Sequence, residues 1–414
     1  MPHKAIFLVI ATCSAAAVKG QLDVIDVSSV RTNDVASEIE VVCVYYPHWH
    51  RYPKGDEWFG DRFDWSKGEW EFVKTAIPRY PGHVQPIHPL PGYLDGSNPR
   101  DVAIEIDLAA NAGIDVFLYD YYYYGGKVTQ EEAIEQGFLK AKNRNRMKFA
   151  LMWCYHERRD QFRPQKEMGN NRRMLMELDH TPEEFLGLID LSIARYFGKP
   201  EYWRKDGRLF FSIFNAPYFL EKLGEDGVRS AIAAAREKVR SAGLIGIHFN
   251  AQGFSPEGQR LAKSLGFDSL MDYNISPEGT ASGLTSYESM AKRSRERWSK
   301  FEKGPLPYYP VVSTGWDRSA RCRLDEKLPW SSREYPYGSI VTNATPQNFE
   351  MLLRDAKAYV ERNVRDGGVV YVNAWNEYTE CPGLLPTVEE GDSRLRALSA
   401  VFGRNKQTPK QQKE

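Results

Sequence analysis

The chain has 414 residues, of which 42% are hydrophobic, so it can bury a large core and is long enough for an α/β barrel with extended loops. Its 55 basic and 55 acidic residues give a formal charge of zero. Because capture of nucleic acid or of an anionic membrane needs a basic face, this balance argues against both kinds of partner. The 10 Trp and 23 Tyr residues suit ordinary core packing or, in a cleft, the stacking of sugar rings.

The N-terminal segment has the composition of a signal peptide. One lysine is followed by an apolar run of small residues that ends before residue 20, and the run is too short to span a membrane. We therefore expect a signal peptide at residues 1–20, a polar lead-in at residues 21–38, and a secreted or periplasmic protein without a membrane span. A lipid anchor at Cys13 is the weaker alternative, because Thr12 makes a poor lipobox.

Four cysteines remain beyond this segment, which is too few for a fold built on disulfides. Cys43 and Cys154 lie in apolar runs and are expected to be core thiols. Cys322 and Cys381 lie in predicted loops and could pair in an oxidising compartment. The sequence leaves both states of this second pair open.

Short apolar runs then alternate with helical patterns along the chain. Eight runs are strand candidates, at residues 41–46, 114–119, 148–154, 208–214, 244–249, 267–272, 308–313 and 369–375. Helical patterns lie at residues 99–112, 130–143, 182–197, 226–241, 256–265, 284–301, 346–364 and 393–403. Proline in the first turn, as in Asn98-Pro99, and glycine after the last, as at Gly113, mark the ends of several helices.

Eight βα units in one chain predict a single (β/α)8 catalytic barrel over residues 39–404, followed by a charged, disordered tail at residues 405–414. The alternative, an open doubly wound sheet, normally carries a Gly-rich phosphate loop after an early strand, and the sequence has none. Long segments follow several strands, at residues 47–98, 155–181, 273–283 and 314–345. Because such segments all emerge on the catalytic face of a barrel, their lengths support the assignment.

The last strand candidate runs into a polar and aromatic cluster, Trp375-Asn376-Glu377-Tyr378-Thr379-Glu380. Carboxylates that follow a buried strand are typical of the catalytic face of an α/β enzyme. Glycoside cleavage needs one protonated and one ionised carboxyl, and two carboxyls three positions apart on a turn can flank a single sugar. We therefore predict that Glu377 and Glu380 are the catalytic pair of a sugar-cleaving enzyme, rather than a capping or ion-pair site.

The other strand ends supply candidates for substrate binding. Aromatic rings there can stack on a sugar, and Asp, Asn and His side chains can hydrogen-bond its hydroxyls. The predicted substrate-binding residues are Tyr46, His48, His50, Asp120, Tyr122, Trp153, Glu157, Asn215, Asn250, Tyr273, Trp316, Asp317 and Asn376. Two alternatives stay open: Asp120 also suits the orientation of a neighbouring side chain, and Glu157 also suits a structural ion pair with the arginines that follow it.

His48 and His50, one residue apart after the first strand, also resemble the metal ligands of amidohydrolases. The fifth strand carries His248, which fits that pattern. However, the fourth strand lacks the Lys, and the eighth the Asp, that such an enzyme needs. The sequence therefore predicts neither a metal site nor another cofactor.

Four segments, taken in order, span nearly the whole chain beyond the N-terminal segment. They are Tyr45-Tyr46-Pro47-His48-Trp49-His50 with Asp56-Glu57-Trp58-Phe59-Gly60, Tyr80-Pro81-Gly82-His83-Val84-Gln85-Pro86, Gly113-Ile114-Asp115-Val116-Phe117, and Gly315-Trp316-Asp317 with Trp375-Asn376-Glu377-Tyr378-Thr379-Glu380. Together they resemble the glycoside hydrolase family 99-like proteins, including those labelled WbsX-like. The resemblance implies a (β/α)8 barrel.

The best-understood members of that family are retaining endo-α-mannosidases that use two glutamates of an Asn-Glu-x-x-Glu motif. The resemblance implies that Glu380 is the general acid/base, and that Glu377 deprotonates the substrate's 2-hydroxyl, which attacks the anomeric carbon to give a 1,2-anhydro sugar. The chain departs from the family in Cys381-Pro382-Gly383 and in Tyr155-His156-Glu157, where many relatives have Asn-Glu-Asn. Because these are substrate-facing loops, the resemblance supports the proposed chemistry more strongly than it supports mannose as the sugar.

The leading hypothesis is a secreted glycoside hydrolase that acts on a polysaccharide or oligosaccharide. A glycosyltransferase, as the WbsX label suggests, is the second hypothesis, and the predicted signal peptide argues against it because nucleotide-sugar donors are cytoplasmic. A non-catalytic carbohydrate-binding barrel is the third. The sequence leaves open the sugar, the linkage, endo or exo action, and the oligomeric state.

Overall fold

The computed structural model describes residues 39–163, 172–363 and 367–403, so the predicted signal peptide, lead-in and charged tail lie outside the described residues. Eight parallel strands form the centre of the described fold. They are β1 (Glu40–Tyr45), β2 (Val116–Tyr124), β3 (Lys148–Cys154), β4 (Arg208–Phe214), β5 (Ile247–Gln252), β6 (Ser269–Met271), β7 (Val311–Ser313) and β8 (Val369–Asn373). The predicted (β/α)8 barrel is confirmed.

Each strand contacts its neighbour in chain order, and β8 pairs with β1, so the last strand of the barrel lies beside the first. Val42 of β1, for example, is in register with Val116 of β2 and with Tyr371 of β8. Between β6 and β7 the contact narrows to a single parallel bridge, in which the Tyr309 N–H donates to the Leu270 carbonyl at 2.9 Å. The barrel is therefore nearly closed, and all eight strands end on one face.

Helices cover the barrel or lie in its long loops. They are α1 (Pro53–Phe59), α2 (Trp70–Lys74), α3 (Pro99–Ala112), α4 (Pro182–Ser192), α5 (Ala216–Ser241), α6 (Gln259–Leu265), α7 (Tyr287–Ser299), α8 (Pro346–Asn363) and α9 (Ser393–Phe402). The sequence signals for helix ends act as expected. The Asn98 side chain accepts from the Arg100 N–H at 3.0 Å, and Gly113 ends α3 with a φ of 97°.

Shorter elements complete the described structure. Two-stranded antiparallel ribbons join Lys127–Thr129 to β2, Arg158–Arg159 to Met174–Met176, and Arg204–Lys205 to β4, while Leu284–Ser286 pairs in parallel with Ile340–Thr342. Single helical turns lie at Trp65–Lys67, Ala133–Gly137, Phe138–Lys140, Arg144–Arg146, Ile193–Phe197 and Ser319–Arg321.

The helix predicted at residues 130–143 is wrong, because this segment forms a π-helical turn at Ala133–Gly137 followed by a 3₁₀ turn at Phe138–Lys140. Gly137 packs directly on the loop after β1. A Cβ atom at this position would stand 2.1 Å from the Gly96 carbonyl oxygen. This close backbone approach, rather than helical packing, sets the local conformation.

The starts of α5 and β5 are among the other boundaries that differ from the prediction. Helix α5 begins at Ala216, ten residues before the predicted start, and is interrupted at Gly224, which has a φ of 69°. Strand β5 begins only after Gly246, whose φ of 133° marks a turn, so the strand lies three residues later than predicted. Asn250 consequently lies within the strand and not at its end.

The barrel interior contains a polar layer on β4, β5 and β6. The Ser212 hydroxyl donates to Asn250 Oδ1 at 2.8 Å, and the Asn250 amide donates to Ser269 Oγ at 2.9 Å. Gln252, one layer nearer the carboxyl ends, donates to Ser212 Oγ at 2.8 Å. Because buried polar groups are costly unless they are paired, this network fixes the inner wall beneath the catalytic face.

Cysteines and hydropathy add two observations. Cys43, Cys154, Cys322 and Cys381 are all buried free thiols, so the two loop cysteines are not bonded to each other. Within residues 39–163, 172–363 and 367–403, none of the helices is long and apolar enough to cross a membrane.

Candidate active site

A cavity of about 500 Å³ opens at the carboxyl ends of the strands. Every one of the eight strands, or the loop that follows it, contributes to its wall. The lining residues include Tyr46, Asp120, Tyr122, Met152, Cys154, His156, Arg158, Gln161, Asn215, Gln252, Asp272, Tyr273, Trp316, Arg318, Arg321, Tyr335, Glu377 and Glu380. This is the face on which barrel enzymes hold their catalytic groups.

Glu377 and Glu380 lie together in this cavity. They occupy one turn after β8, in which the Glu380 N–H donates to the Glu377 carbonyl at 2.9 Å. Both side chains are buried, with 4% and 7% of their surface exposed. The Tyr273 hydroxyl donates to Glu377 Oε2 at 2.5 Å, and the Tyr335 hydroxyl donates to Glu380 Oε1 at 2.6 Å.

Arg321, in the long loop after β7, is the arginine that contacts both glutamates of the pair. Its Nη1 donates to Glu380 Oε1, while its Nη2 lies 3.8 Å from Glu377 Oε1 and 3.3 Å from Glu69 Oε2. Only 1% of Arg321 is exposed. One guanidinium therefore compensates three buried carboxyls, and it is bound most closely to Glu380.

Glu69 lies in the long loop after β1 and binds the Arg321 guanidinium. Its Oε1 accepts from the Tyr46 hydroxyl at 2.5 Å and lies 3.0 Å from His48 Nδ1, and its Oε2 accepts from Thr379 Oγ1 at 3.0 Å. Burial alone would raise the pKa of Glu69, but Arg321 and His48 outweigh burial and lower that pKa to about 2. Burial and the charge of Arg158 lower the pKa of His48 to about 3, so its ring is neutral.

Gly68 is what allows Glu69 to reach this position. Its φ is 62°, a conformation that side chains rarely adopt, and a Cβ there would stand 2.1 Å from the His48 carbonyl oxygen. The neighbouring Glu69 N–H donates to the same carbonyl at 3.1 Å. The glycine thus lets two loop segments lie in direct backbone contact.

Replacing Gly68 with Ala is expected to destabilise the fold by about 2–5 kcal/mol, the sum of left-handed strain and a backbone clash. It should also lower activity, since Glu69 and then Arg321 would shift. Gly82→Ala is the matched control, because Gly82 has a φ of 82° but no atom within 4 Å of the added Cβ. Thermal unfolding of both variants checks this. Equal losses would contradict the role assigned to the close contact.

Asp120 and Glu377 share one hydroxyl. Tyr273 donates to Glu377 at 2.5 Å and lies 3.2 Å from Asp120 Oδ2, and its single proton can serve only one of the two carboxyls. Burial, followed by the charge of Glu380, holds the pKa of Glu377 well above its usual range. Burial likewise raises the pKa of Asp120. These two carboxyls therefore favour their protonated forms, and the environments of Glu377 and Glu380 differ.

The structure brings together many of the residues predicted from the sequence. Those that line the cavity are Tyr46, Asp120, Tyr122, Asn215, Tyr273, Trp316, Glu377 and Glu380. Asp120 and Tyr122 are at inward positions of β2, which extends to Tyr124 and not to residue 119 as predicted. Asn215 follows β4 with a φ of 54° and starts α5, where its carbonyl accepts from the Tyr218 N–H at 2.9 Å.

Three of the predicted residues lie behind the cavity wall. Trp153 alternates with Met152 along β3 and points outward, where its indole N–H donates to the Tyr123 carbonyl at 3.3 Å. Asn250 belongs to the polar layer within the barrel. Asn376 is 1% exposed, and its Oδ1 accepts from the Tyr46 N–H at 2.8 Å, which ties the end of β8 to the end of β1.

His48 and His50 are fully buried and do not line the cavity. His48 contacts Glu69, whereas His50 Nε2 lies 3.3 Å from Glu132 Oε2. His248, the third histidine of the metal hypothesis, contacts Ser269 Oγ at 2.7 Å. Within the described ranges, no group of three or more His, Cys, Asp or Glu side chains is arranged to hold a metal ion.

Asp317 and Glu157 bind other protein groups. Asp317 Oδ2 accepts from His83 Nε2 and from the Gln85 amide, both at 2.9 Å, which fastens the loop after β1 to the end of β7. Glu157 Oε1 accepts from the Tyr218 hydroxyl at 2.6 Å and lies 3.1 Å from His180 Nε2. Glu157 therefore contacts Tyr218 and His180, and not the arginines that follow it.

Sequence reasoning missed several residues of the site. Glu69, Arg158, Arg318 and Tyr335 lie inside long loops, and Arg321 follows the predicted Trp316-Asp317 segment by only a few positions. An arginine in a loop that follows a barrel strand was the one available signal. Nothing in the local sequence of Glu69 or Tyr335 distinguishes them from surface residues.

Comparisons with known proteins identify the family and the fold of the chain. The sequence profile of a family described as glycosyltransferase WbsX matches residues 41–398. The uncharacterized protein WxcX of Xanthomonas campestris pv. campestris (strain B100) is 26% identical over 380 residues, which cover 88% of this chain and 50% of WxcX. The chain thus spans about half the length of this curated relative.

Solved structures show the same fold. The GH99 endo-α-mannosidase from Bacteroides thetaiotaomicron superposes with a TM-score of 0.56 and 14% identity, over 89% of this chain and 97% of the mannosidase. A glycoside hydrolase-like protein superposes with a TM-score of 0.58 and 15% identity, over 91% and 97% of the two chains. The barrel of this chain is therefore of the kind found in GH99 glycoside hydrolases.

Proposed function

The chain belongs to the WbsX family. From the geometry of its cavity we propose that it is a glycoside hydrolase that cleaves a polysaccharide or oligosaccharide with Glu377 and Glu380. One observation carries the proposal. Two buried carboxyls lie on one turn at the catalytic face, one bound to a guanidinium and the other in an environment that favours its protonated form. A pair that holds one proton between two carboxyls is what glycoside cleavage requires.

The proposed mechanism keeps the roles that the family resemblance implies. Glu380 protonates the leaving oxygen and later activates water, and Glu377 deprotonates the 2-hydroxyl of the substrate, which attacks the anomeric carbon. Electron density flows from the 2-oxygen to the anomeric carbon while the glycosidic C–O bond breaks, and water then reopens the 1,2-anhydro ring. Two inversions give net retention of configuration.

The contact between Arg321 and Glu380 favours the exchanged roles, in which Glu377 carries the proton and Glu380 is ionised. The pH dependence of kcat/KM separates the two assignments, because Tyr273 and Asp120 act on Glu377 in opposite directions. The Tyr273 hydrogen bond lowers the pKa of Glu377, whereas Asp120 raises it whenever Asp120 is itself ionised.

We expect Tyr273→Phe to move the acidic limb of the kcat/KM profile upward by about 1–2 pH units, since a hydrogen bond to a charged group contributes about 1.5–3 kcal/mol. A base must be ionised, so a higher pKa of Glu377 costs activity at low pH. Asp120→Asn should move the same limb downward. If the alkaline limb moved instead, Glu377 would be the acid and the roles would be exchanged.

A glycosyltransferase is the second candidate, and the description of the family favours it. Export through the predicted leader would separate the protein from cytoplasmic nucleotide-sugar donors, which favours hydrolysis. Parallel incubations distinguish the two reactions. The hydrolase proposal predicts new reducing ends from at least one member of a panel of plant, algal and microbial glycans, with no consumption of nucleotide sugars. Consumption of a nucleotide sugar that depends on a glycan acceptor, without any release from the panel, would contradict it.

A further inference from the structure

Two arginines of the cavity have no carboxylate partner among the described residues. Arg158, in the loop after β3, and Arg318, in the loop after β7, both line the cavity and form no ion pair with a described carboxylate. By contrast, Arg321 binds Glu380, and Arg62 donates to Asp160 at 2.6 Å. The two unpaired guanidinium groups therefore stand out from their surroundings.

Arg158 is the more unusual of the two because it is 97% buried, with 3% of its surface exposed. Its Nη2 lies 3.3 Å from the neutral ring of His48, its Nε has no hydrogen-bond partner, and its guanidinium carbon lies 5.3 Å from the Tyr122 ring centre. The nearby Glu69 does not supply the missing partner, since both of its oxygens are taken by other groups. A buried cation without a paired anion is costly, and a bound anion would remove that cost.

Arg318 adds a second positive charge to the same cavity. Its guanidinium carbon lies 4.7 Å from the Tyr335 ring centre and 5.4 Å from that of Trp316, and its Nε has no hydrogen-bond partner. The carboxyls of the cavity do not offset these charges. Glu380 is bound to Arg321, Asp272 is bound to Arg297, and burial favours the neutral forms of Asp120 and Glu377. The uncompensated charge of the cavity is therefore positive.

We propose that the cavity recognises an acidic sugar, whose carboxylate binds the guanidinium of Arg158. A planar guanidinium matches a carboxylate with two parallel hydrogen bonds, which a sugar hydroxyl cannot reproduce. His156 and Gln161 belong to the same loop after β3. They also line the cavity and offer polar contacts to the rest of the sugar ring. The substrate class is then a glycan that contains a uronic acid; this refinement rests on the proposed glycan-cleaving function.

Binding of single sugars to the full chain tests the inference without any need for turnover. The probes are D-glucuronate, D-galacturonate and D-mannuronate, each against its neutral parent sugar, with inorganic pyrophosphate as a non-sugar anion, measured by titration calorimetry. At least one uronate should bind at least about ten-fold more tightly than its parent, a preference that weakens with added salt. No preference for any uronate would overturn the inference. Tighter binding of pyrophosphate than of every uronate would also overturn it, and would favour a sugar nucleotide.

Three variants locate the site. Arg158→Gln should erase the preference, Arg158→Lys should retain part of it, and Arg159→Gln, an exposed neighbour outside the cavity, should leave it intact. A preference that survives in Arg158→Gln would overturn the assignment to this residue. Should Arg158→Gln fail to fold, Arg318→Gln replaces it in the test. The preference for uronate should then fall several-fold, and an unchanged preference would contradict the inference. Glycan cleavage without uronate preference would defeat this inference alone, and uronate preference without cleavage would defeat the hydrolase proposal alone.

Discussion

Replacing Glu380 with Gln is expected to lower kcat/KM for an unactivated glycan by about 10²–10⁴-fold, the contribution typical of a positioned general acid. The amide keeps the size of the side chain and can still contact Tyr335 and Arg321, so the fold should survive. Substrates with an activated aryl leaving group need little protonation and should lose much less. The measurement is the initial rate of cleavage for both kinds of substrate.

Glu389→Gln is the matched control. Glu389 lies nine residues further along the chain and outside the cavity, and its carboxylate contacts His88 at 2.6 Å. Its rates should equal those of the wild type. Undiminished activity of Glu380→Gln on unactivated glycans would contradict the assignment of Glu380 as the general acid. An equal loss on all leaving groups would instead make Glu380 the base of the pair.

Replacing Arg321 with Met should have the second large effect, on stability as well as on activity. The change removes the cation that contacts three buried carboxyls, Glu380, Glu377 and Glu69, and leaves the charges of Glu380 and Glu69 without a cationic partner at that position. Removing one partner of a buried ion pair costs about 3–5 kcal/mol. Because Arg321 also positions Glu380, activity should fall by about 10²-fold or more even where the protein remains folded.

Arg295→Met serves as the control for this change, since Arg295 pairs with Asp355 at 3.0 Å on the surface, where both side chains are more than 40% exposed. Such a pair contributes only about 0–1 kcal/mol. Denaturant unfolding at neutral pH compares the two variants. Equal losses of unfolding free energy in both would show that Arg321 does not hold the carboxyls together.

Much of the fold could be predicted because its determinants are local. Each buried strand reads as a short apolar run, and proline and glycine mark helix ends as at Asn98-Pro99 and Gly113. The catalytic face follows from the topology, since all parallel strands of a barrel end on one side. The order of the strands therefore predicts that Glu377 and Glu380 open onto the same face as Tyr46, Asp120, Trp153 and Trp316, and of these four only Trp153 does not line the cavity.

The rest of the site could not be predicted because it depends on long loops. Glu69 reaches the pair only through the backbone contact at Gly68, and Arg321 and Tyr335 meet Glu380 from an irregular loop. The directions of two strand side chains also differ from the prediction. A three-residue shift of β5 moved Asn250 into the barrel, and the alternation of β3 turned Trp153 away from the cavity.

The most direct test of the central claim is the release of new reducing ends from the glycan panel, measured by mass spectrometry for the wild type and for the Glu377→Gln/Glu380→Gln double variant. The double variant keeps the shape of the cavity and its unpaired arginines, so it should still bind glycan. The account predicts release by the wild type from at least one glycan and no release from that glycan by the double variant. Release by the double variant at the wild-type rate would contradict the account.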